Sequence, residues 1–221
     1  MNIAVLCSGR GSNLLALLKA QNQGSFGTSK ITLVATENSQ AGALKIAEEH
    51  GIKTFFKDNY NAKNRLVFRE EDFLEYFAGK DFGLIVLAGF QKVLSPKFIA
   101  LFPQRILNVH PALLPAFPGH KVWSGEVAYG IKVAGATVHF IDEGVDTGPI
   151  VIQGGVPVLD TDDADTLSAR ILRVEHQILP QAVAWYVQGR IQISGRIVKI
   201  TGTDFSEKSL SETLIWPPLG A

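Results

Sequence analysis

An amide, an imidazole and a carboxylate stand close together in this chain: Asn108 and His110 in Asn108-Val109-His110, and Asp146 in Gly144-Val145-Asp146-Thr147-Gly148-Pro149. These are the parts needed to move an acyl group. An amide N–H can donate to a developing oxyanion, an imidazole can donate or shuttle a proton, and a carboxylate can orient the imidazole and favour its charged form. Asn108 and His110 lie two apart, so on an extended strand end both side chains point to one face. Pro111 follows at once and ends the strand, because it brings no N–H to the ladder. The pattern predicts an active site at the C-terminal end of a strand. Read alone, the pair could equally be strand-end polar groups satisfied by backbone, and Asp146 a turn residue.

A second constellation is Ser8-Gly9-Arg10-Gly11-Ser12-Asn13, set between a strand-like and a helix-like run. Glycines let the backbone approach a ligand, and the N–H groups at a helix start attract an anion, so a phosphate is the natural guest. It is not a full dinucleotide fingerprint, since Leu14 stands at the third glycine position, nor a Walker A loop, since no Gly-Lys-Ser/Thr follows. The plainer alternative is a tight turn with Ser12 as N-cap. Metal ligation would draw on His110, His120, His139, Asp142 and Asp146. No helical histidine pair or two-residue spacing joins them, so no metal is expected. His139 alternates with Thr137 and Ile141 on one strand face and reads as a core residue as readily as a catalytic one. Cys7 reads as a small buried apolar residue.

The elements that must position these groups follow from periodicity. Apolar runs at 3–7, 31–35, 52–56, 84–88 and 105–109 read as strands, separated by helical patterns at 12–20, 41–50, 62–78 and 95–101. Gly51 suits the residue after a helix, and Pro96 the first helical position. The alternation implies an α/β fold with a doubly wound, mostly parallel sheet. Beyond 110 the pattern changes. Residues 111–123 form a Pro- and Gly-rich loop that admits a cis Leu114–Pro115 bond, and a helix is expected around 125–129. Strands at 135–141 and 149–153 joined through 142–148 predict an antiparallel C-terminal extension. Residues 163–188 read as helix, broken or kinked at Pro180, and 190–200 as two short strands. The expected organisation is one domain over 1–200, split into a phosphate-binding half (1–110) and a catalytic half (111–200), with a tail at 201–221.

Composition excludes several classes. Lys+Arg and Asp+Glu both number 21 among 221 residues, giving zero net charge, whereas a nucleic-acid surface needs a basic excess. The single cysteine excludes an intrachain disulfide framework. No secretory signal precedes the first strand and no apolar run approaches a membrane span, so a cytoplasmic protein is expected, with neither nucleic acid nor membrane as partner.

SGRGSN at 8–13, LAGFQKVLSP at 87–96, NVHPALLPAFPG at 108–119 and DEGVDTGPI at 142–150 together resemble the folate-dependent formyltransferases. The resemblance covers about residues 1–190. Its N-terminal SGxGSN loop points to the branch acting on glycinamide ribonucleotide. It implies a Rossmann-like formyltransferase fold, 10-formyltetrahydrofolate as cosubstrate, and a monomer or homodimer. It also implies roles. Gly11, Ser12 and Asn13 hold the substrate phosphate, and Asn108, His110 and Asp146 form the catalytic set. Lys92, Val93, Leu94 and the loop Asp142, Glu143, Gly144, Val145, Asp146 line the folate pocket beside Asn108. Arg65, at the start of the third helix, meets the folate tail, and Glu175 lies near the ribonucleotide. In this scheme protonated His110 helps Asn108 stabilise the oxyanion. The chain departs from the family pattern at Gln91-Lys92, where an apolar residue and an arginine are usual, and at His120–Trp123.

Other functions weigh against this one. A methionyl-tRNA formyltransferase needs a further RNA-binding domain and a basic surface, and a formyltetrahydrofolate deformylase usually carries an extra N-terminal domain. An amino-sugar formyltransferase does not need SGRGSN. A non-catalytic phosphate-binding module explains the first turn but leaves Asn108, His110 and Asp146 without a task.

Overall fold

A computed structural model of the chain describes residues 1–57, 59–60, 66–120 and 122–202. The elements run β1 (Asn2–Leu6), α1 (Ser12–Asn22), β2 (Lys30–Thr36), α2 (Gly42–Glu49), β3 (Lys53–Phe56), β4 (Asn59–Tyr60), β5 (Leu66–Val67), α3 (Glu70–Phe77), β6 (Leu84–Leu87), α4 (Pro96–Leu101) and β7 (Ile106–His110). They continue with α5 (Val122–Tyr129), β8 (Val133–Phe140), β9 (Ile150–Pro157), α6 (Ala164–Val187), β10 (Ile191–Ser194) and β11 (Ile197–Ile200). Seven strands make one sheet in the order β3-β2-β1-β6-β7-β8-β9. The pairs from β3 to β7 are parallel, and β8 and β9 then add antiparallel. The expected doubly wound sheet with an antiparallel extension is present, and β10 with β11 forms the short hairpin expected near residue 195.

The unbroken apolar runs of β1 and β6 follow from burial on both faces. One face packs against α1, α2 and α6 through Leu14, Leu17, Ala43, Ile171 and Leu179. The other carries an aromatic layer from α3, α4 and their flanks, in which Phe73, Phe77, Phe98 and Phe102 meet at ring-centroid distances of 5.4–6.2 Å. The helix starts are set locally. Ser95 accepts from Phe98 N–H with Pro96 at the first turn of α4, and Asp163 and Thr166 form a reciprocal capping box on α6.

Two local expectations need correcting. The third helix begins at Glu70, not at residue 62, because Leu66–Val67 pairs antiparallel with Asn59–Tyr60. The acidic trio Glu70, Glu71 and Asp72 sits in the first turn, where the helix dipole favours negative charge. Pro180 does not break α6, which runs through it to Val187. The proline and its neighbours Leu179, Ala182 and Val183 are buried against the sheet, and that packing outweighs the roughly 3 kcal/mol cost of an interior proline.

The antiparallel pairing of β7 with β8 sets Asn108 opposite His139 and His110 opposite Thr137. Thr137 then fixes the loop after β7. Its hydroxyl donates to Ala112 C=O (2.6 Å) and accepts from Leu114 N–H (3.1 Å) and from Gln153 Nε2 (2.9 Å). Gln153 Nε2 also donates to Leu114 C=O at 2.9 Å, and the Leu114–Pro115 peptide is cis, as the sequence admitted. Thr137→Val keeps the shape but removes one donor and two acceptor sites in a fully buried position. The substitution is expected to cost about 1–3 kcal/mol, measured by denaturant unfolding; an unchanged midpoint would mean that the loop is held by other contacts.

Candidate active site

The C-terminal ends of β1, β6 and β7 open onto a cavity of about 570 Å³, the size of a small-molecule site and at the sheet edge where open α/β folds bind ligands. Gly11, Ser12 and Asn13 line one end of it. Lys92, Val93 and Leu94 line another wall, facing Asp142, Gly144 and Val145. Asn108, His110 and Asp146 lie at the β7 end, and Glu175 enters from α6. Glu143 is not among the lining residues, and Arg65 lies outside the described residues.

The first turn differs from the expectation in its cap. Gly11, not Ser12, occupies the N-cap, in a left-handed conformation (φ 87°) with no side-chain cap. The first helical hydrogen bond runs from Leu15 N–H to Gly11 C=O, and no side chain caps the start of α1 among the described residues, which leaves its first N–H groups for a ligand. Glycine is required here twice over: a Cβ would lie 2.8 Å from Ile46 Cδ1 and 3.0 Å from Ala43 Cα, on top of the positive φ. Asn13 is buried, and its Nδ2 donates to Glu175 Oε2 at 2.6 Å. Burial pushes the Glu175 carboxyl up, and the Asn13 hydrogen bond acts against it.

Asp146 is the hub of the polar groups at the β7 end. It takes a positive φ of 54°, uncommon for a non-glycine residue and of the kind that clusters at functional sites. Its Oδ2 lies 3.3 Å from His110 Nδ1 and accepts from Gly119 N–H at 2.8 Å, while Oδ1 lies 3.6 Å from His139 Nε2. Burial pushes the Asp146 carboxyl up, but His139, the Gly119 N–H and the His110 ring outweigh it and hold the group below its usual 3.8. Asp146 is thus a carboxylate at neutral pH.

His110 has acceptors on both sides. Its Nε2 is 2.8 Å from Phe117 C=O, and its Nδ1 faces Asp146. A neutral ring has only one N–H for these two acceptors, while an imidazolium satisfies both. Burial nevertheless dominates: it draws the His110 pKa below 6.5, against the raising effect of the Phe117 carbonyl and Asp146, and His139 and His120 lower it further. Asp146 does favour the charged ring, as the sequence led us to expect, but burial outweighs it. The resting His110 is neutral, with a second hydrogen-bond acceptor already waiting for an incoming proton.

His139, left undecided by the sequence, is fully buried. Its Nδ1 lies 2.9 Å from Phe140 C=O and its Nε2 3.1 Å from Asn108 Nδ2. In the tautomer with its proton on Nδ1 the ring accepts from the Asn108 amide and leaves that amide's second N–H for a ligand; in the other, Nε2 directs its proton at Asp146 Oδ1 instead. Sequence reasoning also missed the Phe117 carbonyl and the Gly119 N–H, because backbone groups carry no signature in a sequence. Among the described residues no three His, Cys, Asp or Glu side chains are grouped to hold a metal ion, and no described helix is long and apolar enough to cross a membrane. Cys7 is fully buried with its thiol pushed up to about 12 by burial and by Glu37, in line with its apolar reading.

Comparisons with known proteins converge. A family model described as formyl transferase matches residues 1–183. The phosphoribosylglycinamide formyltransferase of Haemophilus influenzae is 35% identical over 202 residues, covering 90% of this chain and 93% of that protein. The trifunctional purine biosynthetic protein adenosine-3 of Drosophila melanogaster is 39% identical over 196 residues, although the chain spans only 14% of its length. Among solved structures, glycinamide ribonucleotide transformylase 1 from Symbiobacterium toebii superposes with a TM-score of 0.83 at 37% identity, covering 90% of this chain and 93% of that one.

Two outcomes follow from the site's geometry. His110 binds fewer protons folded than unfolded just below pH 6.5, so its contribution makes the fold less stable as pH falls through that value. NMR titration of the His110 ring is expected to give a midpoint below 6.5, falling further in Asp146→Asn, since the carboxylate raises it; a midpoint above 6.5 would mean that the two acceptors outweigh burial. Gly11→Ala is expected to destabilise the protein by at least about 1–2 kcal/mol from the left-handed backbone alone, read by thermal unfolding.

Proposed function

The chain belongs to the formyl transferase family, and from that premise we propose that it transfers the formyl group of 10-formyltetrahydrofolate to the amine of glycinamide ribonucleotide, a step of purine biosynthesis. It is a one-carbon group transferase whose full-length relatives are phosphoribosylglycinamide formyltransferases. The observation that carries the substrate reading is the convergence of an uncapped helix start (Gly11–Asn13) and the Asn108–His110–Asp146 set on one cavity. The cavity's volume is in the range of small-molecule sites.

In this reading the ribonucleotide phosphate meets the N–H groups of Ser12 and Asn13, with Gly11 allowing the close approach, and Glu175 faces the sugar. The folate ring lies between Lys92, Val93, Leu94 and the loop from Asp142 to Asp146, Glu143 shaping that loop from outside, and Arg65 meets its tail. The domain division goes with it: residues 1–200 form one formyltransferase domain, with a phosphate-binding half at 1–110, a catalytic and folate-binding half at 111–200, and a tail at 201–221.

The substrate amine attacks the formyl carbon and the formyl oxygen becomes an oxyanion, which accepts from the Asn108 N–H not engaged by His139. The proton that the attacking nitrogen gives up reaches neutral His110 through water, because both ring nitrogens already lie against Phe117 C=O and Asp146. The resulting imidazolium is stabilised by the Phe117 carbonyl and the ionised Asp146, whose charges and dipoles are in place beforehand. The proton passes to the folate nitrogen as its bond to the formyl carbon breaks, which restores neutral His110 and releases tetrahydrofolate.

The deciding assay mixes the protein with 10-formyltetrahydrofolate, with and without glycinamide ribonucleotide, and follows loss of the formyl group by absorbance. Turnover only with the ribonucleotide is expected. Turnover in both mixtures would instead indicate a deformylase, and turnover in neither, from a folded protein, a phosphate-binding module. Asn108→Ala, His110→Ala and Asp146→Asn are each expected to stay folded and to lower kcat by about 10²–10³, the usual cost of a lost oxyanion or proton-transfer group. A variant with near-wild-type kcat would remove that residue from the mechanism. If His110 acts as the neutral base, kcat/KM falls on the acid side with a midpoint below 6.5.

A further inference from the structure

A carboxylate that is not part of the cavity lining lies behind Lys92. Glu37, just past β2, has a side chain only 7% exposed, and its Oε1 stands 3.8 Å from Lys92 Nζ. Its Oε2 accepts from Ser8 Oγ at 3.1 Å. The same Ser8 hydroxyl accepts from Gln91 N–H at 2.8 Å, and Ser8 N–H donates to Gly89 C=O at 3.1 Å. One serine thus ties three segments together: the end of β1 before the Gly11–Asn13 turn, the end of β2, and the 89–92 loop.

The physical requirement runs in both directions. A buried carboxylate is tolerated only where it is paired and hydrogen-bonded, so Glu37 depends on Lys92 and Ser8. The 89–92 segment has no helix or strand of its own, so its backbone depends on Ser8, and the Lys92 ammonium on Glu37. Lys92 and Gln91 both line the cavity. We propose that Glu37 is a positioning residue for the formyl-donor side of the site: it holds the Lys92 ammonium at the cavity and, through Ser8, fixes the 89–92 backbone against the turn that leads into α1. This rests on the reading of that wall as the folate wall.

Substitutions can separate the two links. Glu37→Gln removes the charge that faces Lys92 but keeps an oxygen for the Ser8 hydroxyl. Glu37→Ala and Ser8→Ala break the relay to Gln91. In steady-state kinetics Glu37→Gln is expected to raise KM for 10-formyltetrahydrofolate about three- to fivefold, the scale of a partly exposed ion pair. KM for glycinamide ribonucleotide and kcat should stay within about twofold. Combining it with Lys92→Met should raise the donor KM no further than Lys92→Met alone, because both changes remove the same pair. Amide hydrogen exchange at Gln91 should accelerate in Glu37→Ala and Ser8→Ala but not in Glu37→Gln. An unchanged donor KM, equal rises in both KM values, or additive effects would overturn the positioning role. If the wild type shows no formyl transfer, the functional reading fails on its own, and exchange at Gln91 still decides the relay: unaltered protection in Glu37→Ala overturns it, and acceleration supports it.

Discussion

The register between β7 and β8 governs the site. Strand side chains alternate with a period of two, so a slip by one residue would turn every side chain of a strand to the opposite face. In the register present, Asn108 stands opposite His139 and His110 opposite Thr137. The first pairing lets a buried imidazole hold the amide of Asn108. The second places the Thr137 hydroxyl under the loop that supplies the Phe117 carbonyl and the Gly119 N–H. Both groups bear on the His110–Asp146 pair, so two rungs of one ladder, with Val109 opposite Val138 between them, locate the polar groups at this end of the cavity.

Much of this architecture is legible in the sequence, for identifiable reasons. Apolar runs such as Leu84–Leu87 announce a strand covered on both sides, and the two-residue spacing of Asn108 and His110 ending at Pro111 places them on one face at a strand end. The return of Asp146 to that pair also follows, because a hairpin-like extension brings its connecting loop back to the strand it extends. What escaped has equally definite causes. The start of α3 was set by a small antiparallel pairing that no helical period reveals. Pro180 lies within a helix held by burial from both sides, a tertiary effect that overrides local preference. The cap at Gly11 went to the residue that a close backbone approach demands rather than to the better capping side chain.

The charge of His110 depends on more than its carboxylate partner. From sequence, a carboxylate partner argues for an imidazolium, and the ring does face two acceptors. Burial opposes this and prevails, and two further histidines, His120 and His139, push the same way. The sign of a titration depends on everything packed around the group, and most of that comes from distant parts of the chain. Glu37 illustrates the same limit: it looks like an ordinary acidic residue after a strand, and only the fold brings it to Ser8 and Lys92.

The hydrogen bond from Asn13 to Glu175 joins residues 162 positions apart. Contacts of such long sequence separation are the slowest for a chain to form. During synthesis the glycine turn and α1 emerge well before α6, so the carboxylate that completes their polar surroundings arrives only after every strand of the main sheet. The nascent N-terminal half therefore carries an anion-attracting helix start whose buried asparagine still lacks its partner. Full competence at that end of the cavity belongs to the finished chain, and it appears only when the last long helix docks.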